Sequence, residues 1–199
     1  MKKVVLATGN AGKLQELWAM LSDSGIEVLP QTRFGVREIE ETGSSFEENA
    51  LLKARNASRQ TGLPAIADDS GLEVDALYGA PGIYSARYAG VQASDSDNLT
   101  KLLNALLTVP ENRRTARFRC AMVFVHQADD PVPVIREGVW EGRILEAPRG
   151  HNGFGYDPVF LVPEKGCSSA ELPPEEKNHL SHRGQALRKL VAALAPTSR

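Results

Sequence analysis

Short apolar runs alternate with amphipathic segments along the first part of the chain. Val4–Ala7 and Ile26–Leu29 have the length and composition of buried strands. Between them, the segment from Gly12 to about Leu21 repeats apolar residues at helical spacing. The side chains expected on its inward stripe are Leu14, Leu17, Trp18 and Leu21. This alternation of strand, helix and strand predicts an α/β fold.

Two overlapping capping boxes predict the start of a second helix. Ser44 pairs with Glu47 in one box, and Ser45 pairs with Glu48 in the other. The helix that either box opens is expected to end at residues 62–64, where Gly and Pro follow. Its inward residues are predicted to be Phe46, Ala50, Ala54 and Ala57.

The remaining pattern predicts a hairpin and two further helices. Asp95 or Ser96 is expected to cap a helix that runs through Leu107. Two long β-like runs, 116–126 and 132–145, are joined by a turn at Asp129-Asp130-Pro131, and a last helix spans about 181–194. The remaining predicted loops are 37–43, 78–90 and 148–158. We therefore expect residues 1–199 to form a single bilobed domain, with a mixed sheet flanked by helices and a cleft between the lobes.

Composition narrows the class of protein. The 199 residues are 42% hydrophobic and 24% charged, with a formal net charge of −2, which is typical of a soluble globular protein and argues against a dedicated nucleic-acid binder. No apolar stretch is long enough for a signal peptide or a membrane span. Cys120 and Cys167 form no CxxC pair, so neither a zinc site nor a disulfide scaffold is indicated, and a cytoplasmic location is expected.

Asp68 and Asp69 directly follow a short apolar run. A strand in an α/β protein delivers its C-terminal residues to the edge of the sheet, where ligands bind. Because neighbouring side chains of an extended chain point in opposite directions, at most one of the two carboxylates faces a given cleft. That carboxylate could hold Mg²⁺ or accept a proton from water. The alternative is a simple turn, since Asp-Asp-Ser-Gly is favourable turn chemistry.

The segment Thr8–Lys13 lies between the first strand and the first helix. Its glycines allow a close approach of an anion, and the N-terminus of a helix offers unpaired N–H groups to phosphate. The segment is not a Walker A loop, because such a loop would require Gly in place of Ala7 and Ser or Thr in place of Leu14. The alternative is a tight turn with a solvated Lys13.

An aromatic segment follows at 151–160. Glycines on both sides of Phe154 free its ring to stack on a nucleotide base, an interaction that contributes about 1–3 kcal/mol. The alternative is a hydrophobic loop in which Phe154 and Tyr156 anchor to the core.

The last candidate segment is 177–185. His182 and Arg183 stand in the first turn of the final helix, where positive charge is unfavourable unless an anion lies nearby. A substrate phosphate would supply that anion, whereas pairing of Arg183 with a surface Glu is the alternative. His179 and His182 lack a third His or Cys ligand, which argues against a metal pair.

Taken together, these segments resemble one known family. The motifs that carry the resemblance, in chain order, are 8–13, 40–43, 48–50 with Lys53, 67–77, 79–88, 154–158 and 181–184. The chain is similar to the inosine/xanthosine triphosphate pyrophosphatase family over nearly its whole length. The resemblance implies an elongated α/β fold and a homodimer. It also implies Mg²⁺-dependent hydrolysis of noncanonical purine nucleoside triphosphates (ITP, dITP and XTP) to the monophosphate and pyrophosphate.

The same resemblance implies roles for particular residues. Asp69 is the implied general base and a metal ligand, and the second metal ligand is Glu40, which the spacing from Gly43 favours over the adjacent Glu41. The implied substrate-binding residues are Thr8, Gly9, Asn10, Ala11, Gly12, Lys13, Lys53, Ser70, Phe154, Gly155, Tyr156, Asp157, Lys177, His182 and Arg183. Two other functions stay open: a pyrophosphatase of other modified nucleotides on a similar fold, and a non-catalytic nucleotide-binding protein. An RNA-binding module and a serine hydrolase are disfavoured, since their motifs are missing.

Overall fold

The computed structural model describes residues 2–21 and 25–195. Strands and helices alternate in the first half of the chain, as the hydrophobic pattern predicts. The strands are β1 (Lys2–Leu6), β2 (Ile26–Pro30), β3 (Ala65–Val74), β4 (Thr115–Val125), β5 (Val134–Ile144), β6 (Phe160–Val162) and β7 (Cys167–Ser168). The helices are α1 (Ala11–Leu21), α2 (Phe46–Thr61), α3 (Asp95–Ala105), α4 (Pro174–Leu180) and α5 (His182–Leu194).

The strands form one mixed sheet. Its seven strands follow the order β2-β1-β3-β4-β5-β6-β7. β1 pairs in parallel with β2 and β3, whereas β6 pairs in antiparallel fashion with β5 and β7. The predicted α/β fold with a mixed sheet flanked by helices is therefore confirmed. β4 and β5 are neighbours in the sheet, as the predicted hairpin requires.

The chain divides into two compact units. Unit 1 takes its described residues from 1–69, 120–138 and 183–199. Its apolar residues form two clusters, and β1 contributes to both because alternate strand residues face opposite ways. Val4 and Leu6 join the cluster that contains the inward residues of α1 and α5, whereas Val5 and Ala7 join the cluster formed with α2.

Unit 2 comprises residues 70–119 and 139–182. Three aromatic rings lie near one another in its core. The ring of Phe118 lies 4.5 Å from that of Phe160 and 6.5 Å from that of Trp140, centroid to centroid. Leu102 of α3 is completely buried in the same cluster.

Helix α2 forms as its sequence predicts. Ser45 is the N-cap, and its side chain accepts a hydrogen bond from the amide of Glu48 at 3.2 Å. Glu48 reaches back to the amide of Ser44 at 2.7 Å, so both serines take part in the cap. The four predicted inward residues are all buried, and Gly62 ends the helix in the left-handed conformation.

Several local predictions are wrong. Trp18 is 50% exposed, because Leu17 and Leu21 already fill the buried stripe of α1. The cap of α3 is Ser94 rather than Asp95 or Ser96, since the Ser94 hydroxyl and the Asp97 carboxylate form a reciprocal capping box, and the helix ends at Ala105 rather than Leu107. The helix α4 and the short strands β6 and β7 were not predicted, because elements of two to seven residues carry too little periodicity.

Candidate active site

The Thr8–Lys13 segment forms the turn from β1 into α1. The Asn10 side chain accepts a hydrogen bond from the amide of Lys13 at 2.9 Å, and the Asn10 amide donates to the Thr8 hydroxyl at 3.2 Å. Asn10 therefore caps the helix. Gly9, Asn10 and Ala11 are exposed to solvent. The turn thus offers the start of a helix to a ligand, as expected for a phosphate-binding loop.

Asp68 and Asp69 lie inside a strand rather than after one. β3 continues through both residues to Val74, so the expectation that they follow the strand is wrong, and so is the alternative of a turn. β1 pairs with β3 at Ala65 and Ile66, and β3 continues beyond the end of β1 with β4 as its neighbour on the other side. The two carboxylates therefore stand just beyond the carboxyl end of β1.

The Asp68 carboxylate is surrounded by cations. It is 1% exposed, and its Oδ2 lies 3.0 Å from the Lys13 ammonium and 3.5 Å from Nε of Arg183. Burial alone would raise the pKa of Asp68, but the positive charges of Lys13, Arg183 and Lys53 together outweigh it and hold this pKa well below its ordinary value. The charged form of Asp68 is therefore favoured, and its carboxylate holds the Lys13 and Arg183 side chains.

Arg183, in the first turn of α5, is also buried. It donates to the Glu16 carboxylate of α1 as well as to Asp68. Burial lowers the pKa of Arg183, but the two carboxylates more than offset that effect and raise it. The carboxylates of Glu16 and Asp68 therefore supply negative charge that stabilises the positive first turn of α5. Glu16 is not the surface residue that the alternative assumed, since its side chain is only 14% exposed.

Asp69 points to the opposite side of β3, as strand geometry predicts. Its Oδ1 lies 3.0 Å from the Lys53 ammonium, and its Oδ2 accepts a hydrogen bond from Asn49 at 3.3 Å. Burial raises the pKa of Asp69, Lys53 and Lys13 oppose this rise, and the charge of Glu41 adds to it, so the net shift is upward. Asp69 is consequently a stronger base than its neighbour Asp68.

The acidic loop 37–43 approaches Asp69 through Glu41. The Glu41 carboxylate lies 2.6 Å from the Lys53 ammonium, so Lys53 joins two carboxylates. Asn49 fixes the loop by accepting a hydrogen bond from the amide of Gly43 at 2.8 Å. A side chain at Gly43 would meet the backbone nitrogen of Asn49 at 3.0 Å, so only glycine fits this close approach. Glu40, the predicted metal ligand, is exposed.

A second group of predicted residues lies in unit 2. Phe154 is half-buried, with its ring centroid 5.2 Å from the Lys177 ammonium. Lys177 is 5% exposed and lies 2.6 Å from Oδ2 of Asp157. Tyr156 anchors the segment as the alternative predicted, since it is buried and its hydroxyl donates to the carbonyl of Ser85 at 2.8 Å.

His182 and Ser70 complete the predicted set. His182 is 5% exposed, and its ring stacks on Phe118 with centroids 4.8 Å apart. Ser70 is half-buried in β3, directly after Asp69.

Sequence reasoning missed two members of the unit 1 group, Glu16 and Asn49. Asn49 interrupts the apolar face of α2, three residues after Phe46 and four before Lys53. A polar residue at such a position is buried only when it has a partner, and that signal could have identified it. Glu16 follows Lys13 by three residues, so the two side chains share a face of α1. That spacing was a weaker signal.

Two absences hold for residues 2–21 and 25–195. Within them, no group of three or more His, Cys, Asp or Glu side chains is arranged to hold a metal ion. No helix in the same ranges has the length and apolar character needed to cross a membrane.

Comparison with protein families decides where the chain belongs. The Ham1 family matches residues 4–193, which is nearly the whole sequence. The chain belongs to the Ham1 family. Its resemblance to the inosine/xanthosine triphosphate pyrophosphatases is thereby confirmed.

Individual Ham1 relatives extend over the same length. The chain is 61% identical over 194 residues to the dITP/XTP pyrophosphatase of Vibrio cholerae serotype O1, covering 98% of this chain and 97% of the relative. It is 63% identical over 193 residues to the dITP/XTP pyrophosphatase of Methylococcus capsulatus, covering 97% and 96%. Among solved structures, a HAM1 protein from Coxiella burnetii matches with a TM-score of 0.90 and 52% identity, covering 98% of both chains.

Proposed function

We propose that this chain is a pyrophosphatase of noncanonical purine nucleoside triphosphates, which converts ITP, dITP and XTP to the monophosphate and pyrophosphate. Relatives named dITP/XTP pyrophosphatase, about 60% identical over nearly the full length, support this substrate class. The observation that supports this chemistry is that the adjacent carboxylates of Asp68 and Asp69 have different surroundings and therefore different roles. Asp68 is fixed between Lys13 and Arg183, whereas Asp69, on the opposite side of β3, contacts Lys53 and Asn49 beside the acidic loop and is suited to accept a proton from water there.

Asp69 acts as the general base in this proposal. It accepts a proton from a water molecule whose oxygen attacks the α-phosphorus. The bond from the α-phosphorus to the oxygen bridging to the β-phosphorus breaks, and pyrophosphate leaves with that oxygen. Little covalent chemistry is asked of the protein, because such transfers depend mainly on positioning and charge stabilisation.

Phosphate binding is assigned to the Thr8–Lys13 turn, Lys13, Lys53 and Arg183. Each of these three cations already has a carboxylate partner among Glu16, Glu41, Asp68 and Asp69. Three positive charges against four negative ones leave this cluster with a net charge of −1. Without a further cation, the cluster would repel a triphosphate.

A divalent metal fits this charge balance, and we propose Mg²⁺. Oxygens of Glu41 and Asp69 lie 2.6 and 3.0 Å from the single Lys53 ammonium, so two carboxylates can converge on one positive centre. Hard oxygen ligands of this kind, few in number, suit Mg²⁺, which keeps waters and binds substrate phosphates. When bound, the metal would neutralise phosphate charge and acidify water. Asp69 would hold it together with Glu40, the ligand expected from the family resemblance, or with Glu41, which shares the Lys53 ammonium with Asp69.

Recognition of the base is assigned to the segment 154–157 with Lys177, Ser70 and His182. Phe154 would stack on the purine, and its half-buried ring suits that role. Hypoxanthine and xanthine carry a 6-oxo acceptor where adenine carries an amino donor. Hydrogen-bond donors at that position, from backbone amides or from His182, would reject adenine by as much as about 10⁴-fold.

We also propose that the protein is a cytoplasmic homodimer built from one bilobed domain. The thiols of Cys120 and Cys167 form no disulfide, as expected in a reducing compartment. Tyr78 is fully exposed and Tyr84 is 57% exposed in the loop 78–88, which gives unit 2 an apolar surface suited to a second copy. Sedimentation at several concentrations, for the wild type and for Tyr78→Ser, tests the dimer.

The deciding experiment measures pyrophosphate release from ITP, XTP, dITP, GTP, ATP and dTTP, each with Mg²⁺ and with EDTA. We expect cleavage of ITP, dITP and XTP far above that of GTP and ATP, and none in EDTA. Activity confined to other modified or pyrimidine nucleotides would keep the chemistry and overturn the specificity. Tight binding without hydrolysis would overturn the enzyme and leave a nucleotide-binding protein.

A further inference from the structure

The two glycines beside Phe154 leave the backbone of the segment Gly153–Asp157 with little conformational preference of its own. Gly153 and Gly155, on either side of Phe154, both adopt the left-handed conformation, with φ of +77° and +60°. Glycine adopts many other conformations as easily, so the position of the Phe154 ring depends on hydrogen bonds made to other parts of unit 2.

One side of Phe154 is fixed by a buried pair. The Phe154 amide donates to Oδ2 of Asp157 at 2.8 Å, and the same oxygen lies 2.6 Å from the Lys177 ammonium. The Ser169 hydroxyl donates to the other oxygen of Asp157 at 2.8 Å. A side chain at Gly153 would meet this Asp157 carboxylate at 2.1 Å, which shows how closely the turn packs on the pair.

The other side of Phe154 is fixed by a residue far away in the sequence. The Gly155 amide donates to Oδ2 of Asp95 at 2.8 Å, across sixty positions of the chain. Asp95 is the first residue of α3, but the reciprocal cap of that helix is made by Ser94 and Asp97. The Asp95 carboxylate is therefore available to the aromatic segment.

We infer that Asp95 is a positioning residue for the nucleotide base: its carboxylate holds the Gly155 amide and thereby fixes the Phe154 ring in its stacking position. This inference rests on the proposed function, in which Phe154 stacks on the purine. Asp95 touches neither phosphate nor base in this role. It lowers the conformational freedom that Phe154 would otherwise lose on binding.

The test compares Asp95→Ala, which removes the acceptor, with Asp95→Asn, which keeps one. For Asp95→Ala we expect KM for ITP and the dissociation constant for the product inosine monophosphate to rise about 3- to 10-fold, the range that loss of one hydrogen bond implies. The kcat should change less than twofold, and Asp95→Asn should restore most of the affinity. In the Phe154→Ala background, Asp95→Ala should have no further effect, because the ring that it positions is gone.

Asp97→Ala is the matched control. It breaks the cap of the same helix in the same turn, so it should lower the melting temperature without raising KM. Hydrogen exchange of the Gly155 amide gives a readout that needs no activity, and exchange should accelerate in Asp95→Ala alone.

Two results would overturn the inference. One is an affinity for inosine monophosphate that is unchanged in Asp95→Ala. The other is a loss of affinity on Asp95→Ala that is as large in the Phe154→Ala background as in the wild type. A wild type that hydrolyses no nucleotide, yet binds inosine monophosphate with the expected dependence on Asp95, would overturn the proposed activity and leave the inference standing.

Discussion

The pKa values of the neighbouring carboxyls Asp68 and Asp69 are shifted in opposite directions. Strand geometry sends one side chain to Lys13 and Arg183 and the other to Lys53 and Asn49. Both carboxyls are buried, yet the pKa falls in the first and rises in the second. The difference comes from the number of cations and from the additional negative charge of Glu41. Environment, rather than residue type, therefore assigns their roles.

Removing the charge of Asp69 tests its role as a base. We expect Asp69→Asn to lower kcat for ITP by about 10²- to 10⁴-fold, the usual contribution of a general base, while circular dichroism stays unchanged. The control is Asp75→Asn, which removes a carboxylate near the end of the same strand in unit 2. A kcat of Asp69→Asn within threefold of the wild type would exclude Asp69 as the base.

Glu40→Gln and Glu41→Gln together identify the second metal ligand. The structure places Glu41 beside Lys53, whereas the family resemblance implies Glu40. The variant that loses a ligand should need about ten times more Mg²⁺ for half-maximal activity, and the other should stay near the wild type. Titration of activity against Mg²⁺ measures this. If both variants needed the same Mg²⁺ concentration for half-maximal activity, the proposal that one carboxylate of the loop binds the metal would be contradicted.

At the scale of elements, Asp130 stabilises the turn between β4 and β5. Its carboxylate accepts hydrogen bonds from the amides of His126 at 2.8 Å and Val132 at 2.9 Å, and these bonds hold its pKa below the ordinary value. A lowered pKa gives stability that is present above about pH 4 and is lost as pH falls through the pKa of the folded state. Asp130→Ala should therefore lower the free energy of unfolding by about 1–3 kcal/mol at pH 7.

The neighbouring Asp129 provides the control for this turn. Its side chain is 88% exposed and pairs with Arg59 at the surface, so Asp129→Ala should change stability by less than about 1 kcal/mol. Urea denaturation at pH 7 and below pH 4 measures both variants. The deficit of Asp130→Ala should shrink at the acidic pH, and a deficit that stays constant would contradict the assigned hydrogen bonds.

Elements with a strong local signal could be predicted from the sequence, and elements held by distant contacts could not. Helix α2 has both a capping box and four inward apolar residues at helical spacing, so its start and end could be predicted. The continuation of β3 through Asp68 and Asp69 depends on pairing with β4, some fifty residues away. Glu16 and Asp95 likewise acquire their partners only in the folded chain. The polar residues of the site were recognisable by type, but their pairing was not.

At the scale of the whole molecule, the net charge and the charge of the site have the same negative sign. The chain carries −2 overall, and its cluster of cations is itself outweighed by carboxylates. A triphosphate should therefore bind tightly only together with a divalent metal. Because a ligand that binds only the folded state stabilises it, this dependence can be measured as a change in melting temperature.

The wild type with an ITP analogue that cannot be hydrolysed between the α- and β-phosphorus allows that measurement, because every charge of the cluster stays in place. With Mg²⁺, this analogue at one hundred times its dissociation constant should add about 2.7 kcal/mol of stability. For a chain of this size that corresponds to a rise of about 5–11 °C in melting temperature. The same analogue with EDTA should give almost no rise, since the uncompensated cluster repels the triphosphate, and the corresponding ATP analogue with Mg²⁺ should give a much smaller one. An equal rise with and without the metal would show that the cations alone suffice, and an equal rise with ATP would place the discrimination of the base in catalysis rather than in binding.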